Sequence, residues 1–153
     1  MRPISHAPFS YLGDPQVPPF DQGRILLVMD AECSLCSVGA RRVARWDTDD
    51  RVRIAPVQSP LGAALLQHYG MAPDDPDTWL VIQDGRAYGS LQAMAQFYPQ
   101  LRIWLRPVSL LNWLPRRLQD WLYARLARNR YALFGKGNMC TLPDPELRRR
   151  LIQ

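Results

Sequence analysis

Two cysteines separated by two residues, Cys33 and Cys36, are the part of the sequence best suited to chemistry. They follow the apolar run Ile25–Met29, which is typical of a strand buried on both faces, and precede a stretch with helical periodicity. The first turn of a helix has unpaired N–H groups and a partial positive charge, and both stabilise a thiolate. The short spacing lets one thiol close a disulfide with the other. The pattern therefore predicts dithiol redox chemistry.

We expect the two thiols to take different roles. Cys33 comes before the helix has closed its hydrogen bonds, so we expect it to be exposed and to be the attacking thiolate. Cys36 falls on the inward face of the helix and is expected to be the resolving thiol, which displaces the substrate from a mixed disulfide. The charge of Glu32 beside Cys33 opposes thiolate formation. The alternatives are half of a zinc site and two inert core cysteines.

Asp30 ends the apolar run and is the third candidate catalytic residue. As an acid–base partner it could relay a proton to Cys36 if burial favoured the protonated carboxyl. The alternative is a structural role, in which the carboxylate caps the following helix by accepting hydrogen bonds from N–H groups. The sequence leaves both roles open.

The rest of the chain alternates between strand and helix signals. A second strand is predicted over 52–57, a helix begins at Ser59-Pro60, and a third strand spans 78–82. Asp84-Gly85 signals a hairpin turn into a fourth strand, and Ser90 is expected to cap a further helix. The order β-α-β-α-β-β-α is that of a thioredoxin-like α/β fold, with the dithiol at the carboxyl end of the first strand.

The last third of the chain adds C-terminal helices to this core. Helical character continues beyond Pro99, is broken at Pro107 and restarts at Pro115. Placed on one helix, five apolar residues around and after Pro115 form a single stripe: Leu114, Leu118, Trp121, Leu122 and Leu126. Because large exposed apolar patches are rare, we expect these helices to pack on the core and wall the redox cleft. The alternative is peripheral attachment to a membrane, which basic, tryptophan-rich helices also suit.

Several side chains outside the dithiol have more than one possible role. Arg125 and Asn129 fall inside the apolar stripe, so Arg125 is either partly buried with a carboxylate partner or directed toward the dithiol cleft. Cys140 follows a polar stretch and is interpreted as a free thiol, with a third redox thiol or a metal ligand beside His6 or His68 as alternatives. His68 ends a predicted helix, where a cation is favourable without any ligand role.

Composition and charge narrow the class of protein. The chain has 153 residues, three cysteines and a formal net charge of +5. Three cysteines are too few, and odd in number, for a disulfide-stapled secreted scaffold. Neither a signal peptide nor an apolar stretch of membrane-spanning length is evident, so we expect a cytoplasmic protein. Nothing beyond the net charge indicates binding of nucleic acid.

The N-terminal residues differ in composition from the remainder. Residues 1–23 contain five prolines and little periodicity, so we expect an extended leader there. Residues 24–153 are expected to form a single thioredoxin-like domain with a C-terminal helical extension.

The segment around the dithiol also resembles a known family. Asp30-Ala31-Glu32-Cys33-Ser34-Leu35-Cys36 is similar to the Asp-x-x-Cys-x-Leu-Cys signature of the DCC family of predicted thiol–disulfide oxidoreductases. Further points of similarity lie at Ala55–Ser59, Asp84-Gly85 and Ala127–Tyr131, so the resemblance extends from about Ile25 to Leu151. It implies a thioredoxin-like fold and dithiol redox activity at the two cysteines, in a family whose substrates are mostly undefined.

Two positions depart from what the resemblance implies. Many members of the family have Gly where this chain has Ala31. Thioredoxins also place a cis-proline before the third strand, facing the dithiol; that position falls here at Asp77, one residue after Pro76. The usual backbone platform for a disulfide substrate is therefore in question.

These observations lead to one main hypothesis and one rival. The main hypothesis is a thiol–disulfide oxidoreductase without a bound cofactor, acting on a protein or low-molecular-weight disulfide and recycled by a reductase. The rival is a zinc- or partner-binding module that uses Cys33, Cys36 and Cys140 without redox turnover.

Overall fold

Strands and helices follow one another in the order that the sequence predicts. The computed structural model describes residues 7, 9–71, 79–137, 139 and 144–152. In chain order, its strands and α-helices are β1 (Ile25–Met29), α1 (Ser34–Trp46), β2 (Val52–Pro56), α2 (Pro60–His68), β3 (Leu80–Gln83), β4 (Arg86–Gly89), α3 (Ser90–Leu101), α4 (Arg116–Phe134) and α5 (Pro145–Arg150). Two 3-10 helices cover Ser10–Gly13 and Ile103–Trp113.

The four strands form one mixed sheet in the order β2-β1-β3-β4. β1 runs parallel to β2 and antiparallel to β3, and β3 forms a hairpin with β4. Asp84 and Gly85 turn this hairpin with φ values of 51° and 72°, the left-handed backbone that a tight hairpin turn favours. The connectivity confirms the predicted α/β fold, with a thioredoxin-like core and additional C-terminal helices.

The central strand, β1, is buried on both faces, as its continuous apolar sequence predicts. Ile25, Leu27 and Met29 belong to a hydrophobic cluster with residues of α1, α3, α4 and α5. Leu26 and Val28 belong to a second cluster, which contains the apolar side chains of α2. The sheet therefore lies between two layers, and its central strand fixes the position of the residues that follow it.

The described part of the predicted leader is not extended throughout. Ser10–Gly13 forms a 3-10 helix, and its Tyr11 is buried in the cluster that contains α2. His68, at the end of α2, lies with Nε2 2.6 Å from the Ser10 hydroxyl and Nδ1 2.5 Å from a carboxylate oxygen of Asp14. An extended conformation does not hold for Ser10–Gly13, where one buried tyrosine anchors the chain, and the leader as a whole stays a prediction. These contacts also account for His68 without a metal.

Prolines interrupt the C-terminal helices less than predicted. α3 runs through Pro99 to Leu101, and the 3-10 helix Ile103–Trp113 runs through Pro107. The break predicted at Pro107 is wrong because the φ that proline imposes fits a 3-10 helix. α3 also begins at Ser90 itself, with Gly89 as its N-cap, so the predicted cap is one residue too late.

α4 turns a different face to the core from the one predicted. Its buried residues include Tyr123, Ala124 and Ala127, whereas four of the five residues of the predicted stripe are exposed: Leu118, Trp121, Leu122 and Leu126. The buried amide of Gln119 donates to the carbonyls of Leu111 and Leu114, and these bonds fix the rotation of the helix. No described helix is both long and apolar enough to cross a membrane.

A buried ion pair connects α5 to the end of α1. The Arg150 Nε donates to Asp47 Oδ2 at 3.2 Å, and the two side chains are only 2% and 1% exposed. The carboxylate of Asp47 also accepts from the backbone N–H groups of Arg51 and Val52. Because both charges are removed from water, each depends on the other for its solvation.

Replacing Arg150 with Ala is expected to destabilise the protein by about 3–5 kcal/mol, since it leaves the buried Asp47 without its guanidinium partner. Arg149→Ala is the matched control; it removes an exposed arginine and is expected to cost at most about 1 kcal/mol. Urea unfolding followed by tryptophan fluorescence measures both. Equal free energies of unfolding for the two variants would contradict the role given to Arg150.

Candidate active site

Cys33 and Cys36 lie together where β1 gives way to α1. Cys33 is the N-cap of α1, and its Sγ accepts a hydrogen bond from the backbone N–H of Cys36 at 3.4 Å. The two cysteines lie 3.2 Å apart. A backbone donor and the positive end of a helix both stabilise a thiolate on Cys33. The predicted placement of the dithiol at a helix start is confirmed.

The exposure of the two thiols is the reverse of the prediction. Cys33 is 0% exposed, whereas Cys36 is only partly buried. A segment from the C-terminal part of the chain covers Cys33: Lys136 forms an isolated β-bridge with it, and the N–H of Gly137 donates to Glu32. The predicted exposure of Cys33 is therefore wrong. It rests on the position of Cys33 before the helix, whereas the residues that cover Cys33 lie far away in the sequence.

The covering segment depends on a close approach of two backbones. A Cβ at Gly137 would lie 2.7 Å from the hydroxyl of Ser34 and 3.3 Å from its Cα. The N–H of Met139, which is fully buried, donates to the carbonyl of Ala31 at 2.7 Å. In the sequence, Gly137 is the signal for a close backbone approach, because glycine has no Cβ. The neighbouring residues do not indicate that Ser34 is the residue approached.

Asp30 is buried beside the dithiol and holds the turn that leads into it. Its Oδ1 accepts from the backbone N–H of Glu32 and from the side-chain amide of Gln58, both at 2.9 Å. Gln58 in turn accepts from the backbone N–H of Ala31 at 3.3 Å. Asp30 therefore caps the turn before α1, whereas Cys33 caps the helix itself.

Gln58 is a site residue whose role the sequence does not reveal. It follows β2, which runs parallel to β1, so the two strands end at the same edge of the sheet. This rule brings Gln58 close to Asp30. The available signal was a polar side chain directly after a buried strand.

Cys36 opens onto a cavity of about 400 Å³ that the sequence does not predict. The cavity lies among β1, α1, α3, α4 and the 3-10 helix Ile103–Trp113, and α1 contributes five further residues: Leu35, Val38, Gly39, Arg42 and Trp46. Tyr123, Leu126 and Ala127 form the α4 side, so α4 does wall the redox cleft. Of the described residues in the lining, Arg42 alone carries a formal charge.

Tyr98 lines the same cavity close to the dithiol. Burial raises the pKa of its phenol, the nearby Cys36 raises it further, and the positive charge of Arg42 lowers it. Because burial is the largest effect, Tyr98 keeps its proton at neutral pH. The cavity is thus lined by two tyrosines, one thiol and one guanidinium among mostly apolar side chains.

Arg125, which the sequence leaves with two possible roles, takes no part in this site. Arg125 is exposed, and Arg125 and Asn129 line a separate groove on the outer side of α4. Both roles considered for Arg125 are therefore wrong, since it is neither partly buried nor directed into the dithiol cleft. Cys140, His6 and Asp77 lie outside the described residues. Among the residues that the structure does describe, no three metal-binding side chains converge.

Comparison with known proteins agrees with this geometry. Residues 27–136 match the family described as DCC1-like thiol-disulfide oxidoreductase. The uncharacterized protein YuxK of Bacillus subtilis (strain 168) is 32% identical over 127 residues, covering 83% of this chain and 93% of that protein. A chloroplastic DCC family protein of Arabidopsis thaliana is 31% identical over 126 residues, covering 78% of this chain and 70% of that protein. No solved structure gives a significant match. The chain therefore belongs to the DCC1-like thiol-disulfide oxidoreductase family.

Proposed function

We propose that the protein is an enzyme that exchanges disulfides through Cys33 and Cys36, without a bound cofactor. The observation that carries this proposal is the pair of cysteines 3.2 Å apart at the start of α1, with a backbone N–H directed at the sulfur of Cys33. The substrate is a protein or low-molecular-weight disulfide, and a separate reductase restores the dithiol. Location in the cytoplasm stays a prediction from the sequence.

Access supports a definite order of attack. Cys36 borders the cavity, so its thiolate attacks the substrate disulfide, forms a mixed disulfide and releases the first substrate thiolate. The thiolate of Cys33 then attacks the sulfur of Cys36, closes the intramolecular disulfide and releases the second substrate thiolate. Two electrons pass from the protein to the substrate. The hydrogen bond from the Cys36 N–H supports Cys33 as the thiolate of this second step.

The opposite order, with Cys33 attacking first, is the one predicted from the sequence. The same hydrogen bond favours it, because it stabilises the thiolate of Cys33 before any substrate is bound. That order requires the segment around Lys136 to move away from Cys33. The two orders therefore differ in which sulfur is open to a small reagent.

In either order, we propose that Asp30 acts as a positioning residue. Its Oδ1 accepts two hydrogen bonds that hold the turn before Cys33. The acid–base role considered from the sequence stays a prediction.

Exchange predicts that Cys33 and Cys36 form a reversible disulfide. After equilibration in glutathione buffers, peptide mass spectrometry is expected to show the Cys33–Cys36 linkage titrating as a single two-electron couple. Cys140→Ser is expected to retain this couple, whereas Cys33→Ser and Cys36→Ser abolish it. Stoichiometric zinc in protein purified without chelator, with no such couple, would support the metal-binding rival instead.

Alkylation tests the order of attack. Iodoacetamide added to the native, reduced protein at neutral pH is expected to label Cys36 before Cys33, because access limits the reaction of the buried thiol. Peptide mass spectrometry at successive times measures both. Asp30→Asn is expected to raise the labelling of Cys33 by loosening its turn, without changing the pH dependence of labelling at Cys36. Faster labelling of Cys33 in the native protein would establish the opposite order.

A further inference from the structure

The cavity beside Cys36 has the chemistry of a small-molecule site. Its volume of about 400 Å³ lies within the range of ligand pockets, roughly 300–1,000 Å³. Trp46, Met94 and Val108 are typical of its lining, which is apolar almost throughout. A strongly polar substrate would lose more hydration there than the few polar groups of the lining can replace.

One end of the cavity favours a negative charge. Arg42 of α1 lines the cavity together with Cys36 and Gly39, and it is exposed, so we place its guanidinium at the rim. An acidic group at this rim would remain in contact with water while pairing with Arg42. A ligand that fits this lining has an apolar body, a group that reaches the thiol and an acidic group that pairs with Arg42.

We propose that this cavity binds the substrate of the exchange reaction, and that the substrate is a small dithiol or its disulfide on an apolar body with an acidic end. This inference rests on the proposed function, and it selects the low-molecular-weight substrate over a folded protein. The acidic end lies near Arg42, the apolar body fills the cavity, and the sulfur atoms reach Cys36.

Disulfide exchange is reversible, and the reverse direction, in which a ligand dithiol reduces the oxidised protein, balances without a further reactant. In the oxidised protein, one ligand thiolate attacks the sulfur of Cys36, and the Cys33–Cys36 bond breaks to release Cys33 as the thiolate. The second ligand thiolate attacks the ligand sulfur of this mixed disulfide, closes the ligand disulfide and releases Cys36. Two electrons pass from ligand to protein, and the protons lost by the ligand thiols balance those taken up by the cysteines.

Two dithiols of different polarity test this site. Dihydrolipoate has an aliphatic chain with a carboxylate, whereas dithiothreitol is short and hydroxylated. Each dithiol is added to the oxidised protein, and the rate at which it reduces the protein is measured. This rate is divided by the rate at which the same dithiol reduces glutathione disulfide, so that differences in intrinsic reactivity cancel. We expect the normalised rate of dihydrolipoate to be at least about tenfold higher than that of dithiothreitol, because its methylene groups are transferred from water into the apolar cavity. Dihydrolipoamide, which lacks the charge, is expected to lie between the two.

Three variants test whether the preference for dihydrolipoate depends on the cavity. A Cβ at Gly39 meets no atom within 4 Å, so Gly39→Leu extends into the cavity and is expected to remove most of the preference for dihydrolipoate. Arg45→Leu adds the same side chain at an exposed position of α1 outside the lining and is expected to keep the preference. Arg42→Gln is expected to remove the difference between dihydrolipoate and dihydrolipoamide.

The outcomes separate the two proposals. Equal normalised rates for both dithiols in the native protein would overturn the substrate class and leave disulfide exchange standing. Failure of both dithiols to reduce the protein, or failure to form the Cys33–Cys36 disulfide at all, would overturn the proposed function and this inference with it.

An independent observation concerns the surface formed by the 3-10 helix Ile103–Trp113 and α4. Its exposed apolar side chains include Trp113 and Trp121, which are 86% and 58% exposed. Residues 101–134 contain seven arginines against one aspartate, whereas the rest of the chain has twelve basic and thirteen acidic residues. The whole positive surplus therefore falls in the part of the sequence that carries the exposed tryptophans.

We propose that this tryptophan–arginine surface binds the headgroup region of an anionic lipid bilayer. Tryptophan side chains favour the interface between water and hydrocarbon, and arginines attract anionic headgroups. A second copy of the chain fits less well, because it would bring two surfaces of the same charge together. The surface lies beside the cavity, since Leu126 lines both the cavity and the groove that contains Trp121.

Sedimentation with lipid vesicles tests this surface. The protein is expected to pellet with vesicles containing phosphatidylglycerol, to remain in the supernatant with phosphatidylcholine alone, and to be released by salt. The double variant W113A/W121A is expected to lose binding, whereas Phe9→Ala, which removes an exposed aromatic elsewhere, retains it. Recovery of the native protein in the supernatant with both vesicles would overturn the proposal. So would a dimer, seen by analytical ultracentrifugation, that the tryptophan replacements dissociate.

Discussion

Burial of β1 on both faces is the constraint on which the site depends. A shift of the strand by one residue would exchange the apolar sets that face its two layers, so the packing fixes its register. With the register fixed, the end of β1 places Asp30, and the parallel end of β2 brings Gln58 to the same edge. The hydrogen bonds of these two side chains then set the turn before Cys33. The sulfur atoms are thus positioned by packing in which they take little part.

The features that the sequence predicts correctly are those with a local cause. The apolar run of β1, the Asp84-Gly85 turn and the Ser59-Pro60 helix start each depend on a few neighbouring residues. The placement of Cys33 and Cys36 at a helix start has the same origin, because the strand and the helix that flank them are both evident from periodicity.

The features that the sequence does not predict depend on distant parts of the chain. The burial of Cys33 is caused by the segment around Lys136. The orientation of α4 is set by Gln119, whose amide bonds to carbonyls of the preceding 3-10 helix and turn an apolar stripe outward. The cavity beside Cys36 is enclosed by several elements. It arises from how these elements pack together, so the sequence of any one of them does not predict it.

The cover over Cys33 also has a consequence for how the chain matures. Cys33 and Cys36 leave the ribosome long before the residues around Lys136 and Met139, which supply the bridge to Cys33 and the hydrogen bond to Ala31. During that interval, Cys33 is as open to oxidants and metal ions as any thiol in an unfolded chain. The arrival of the segment around Lys136 and Met139 closes this period of vulnerability, so the first cysteine is protected only after about a hundred further residues have been synthesised.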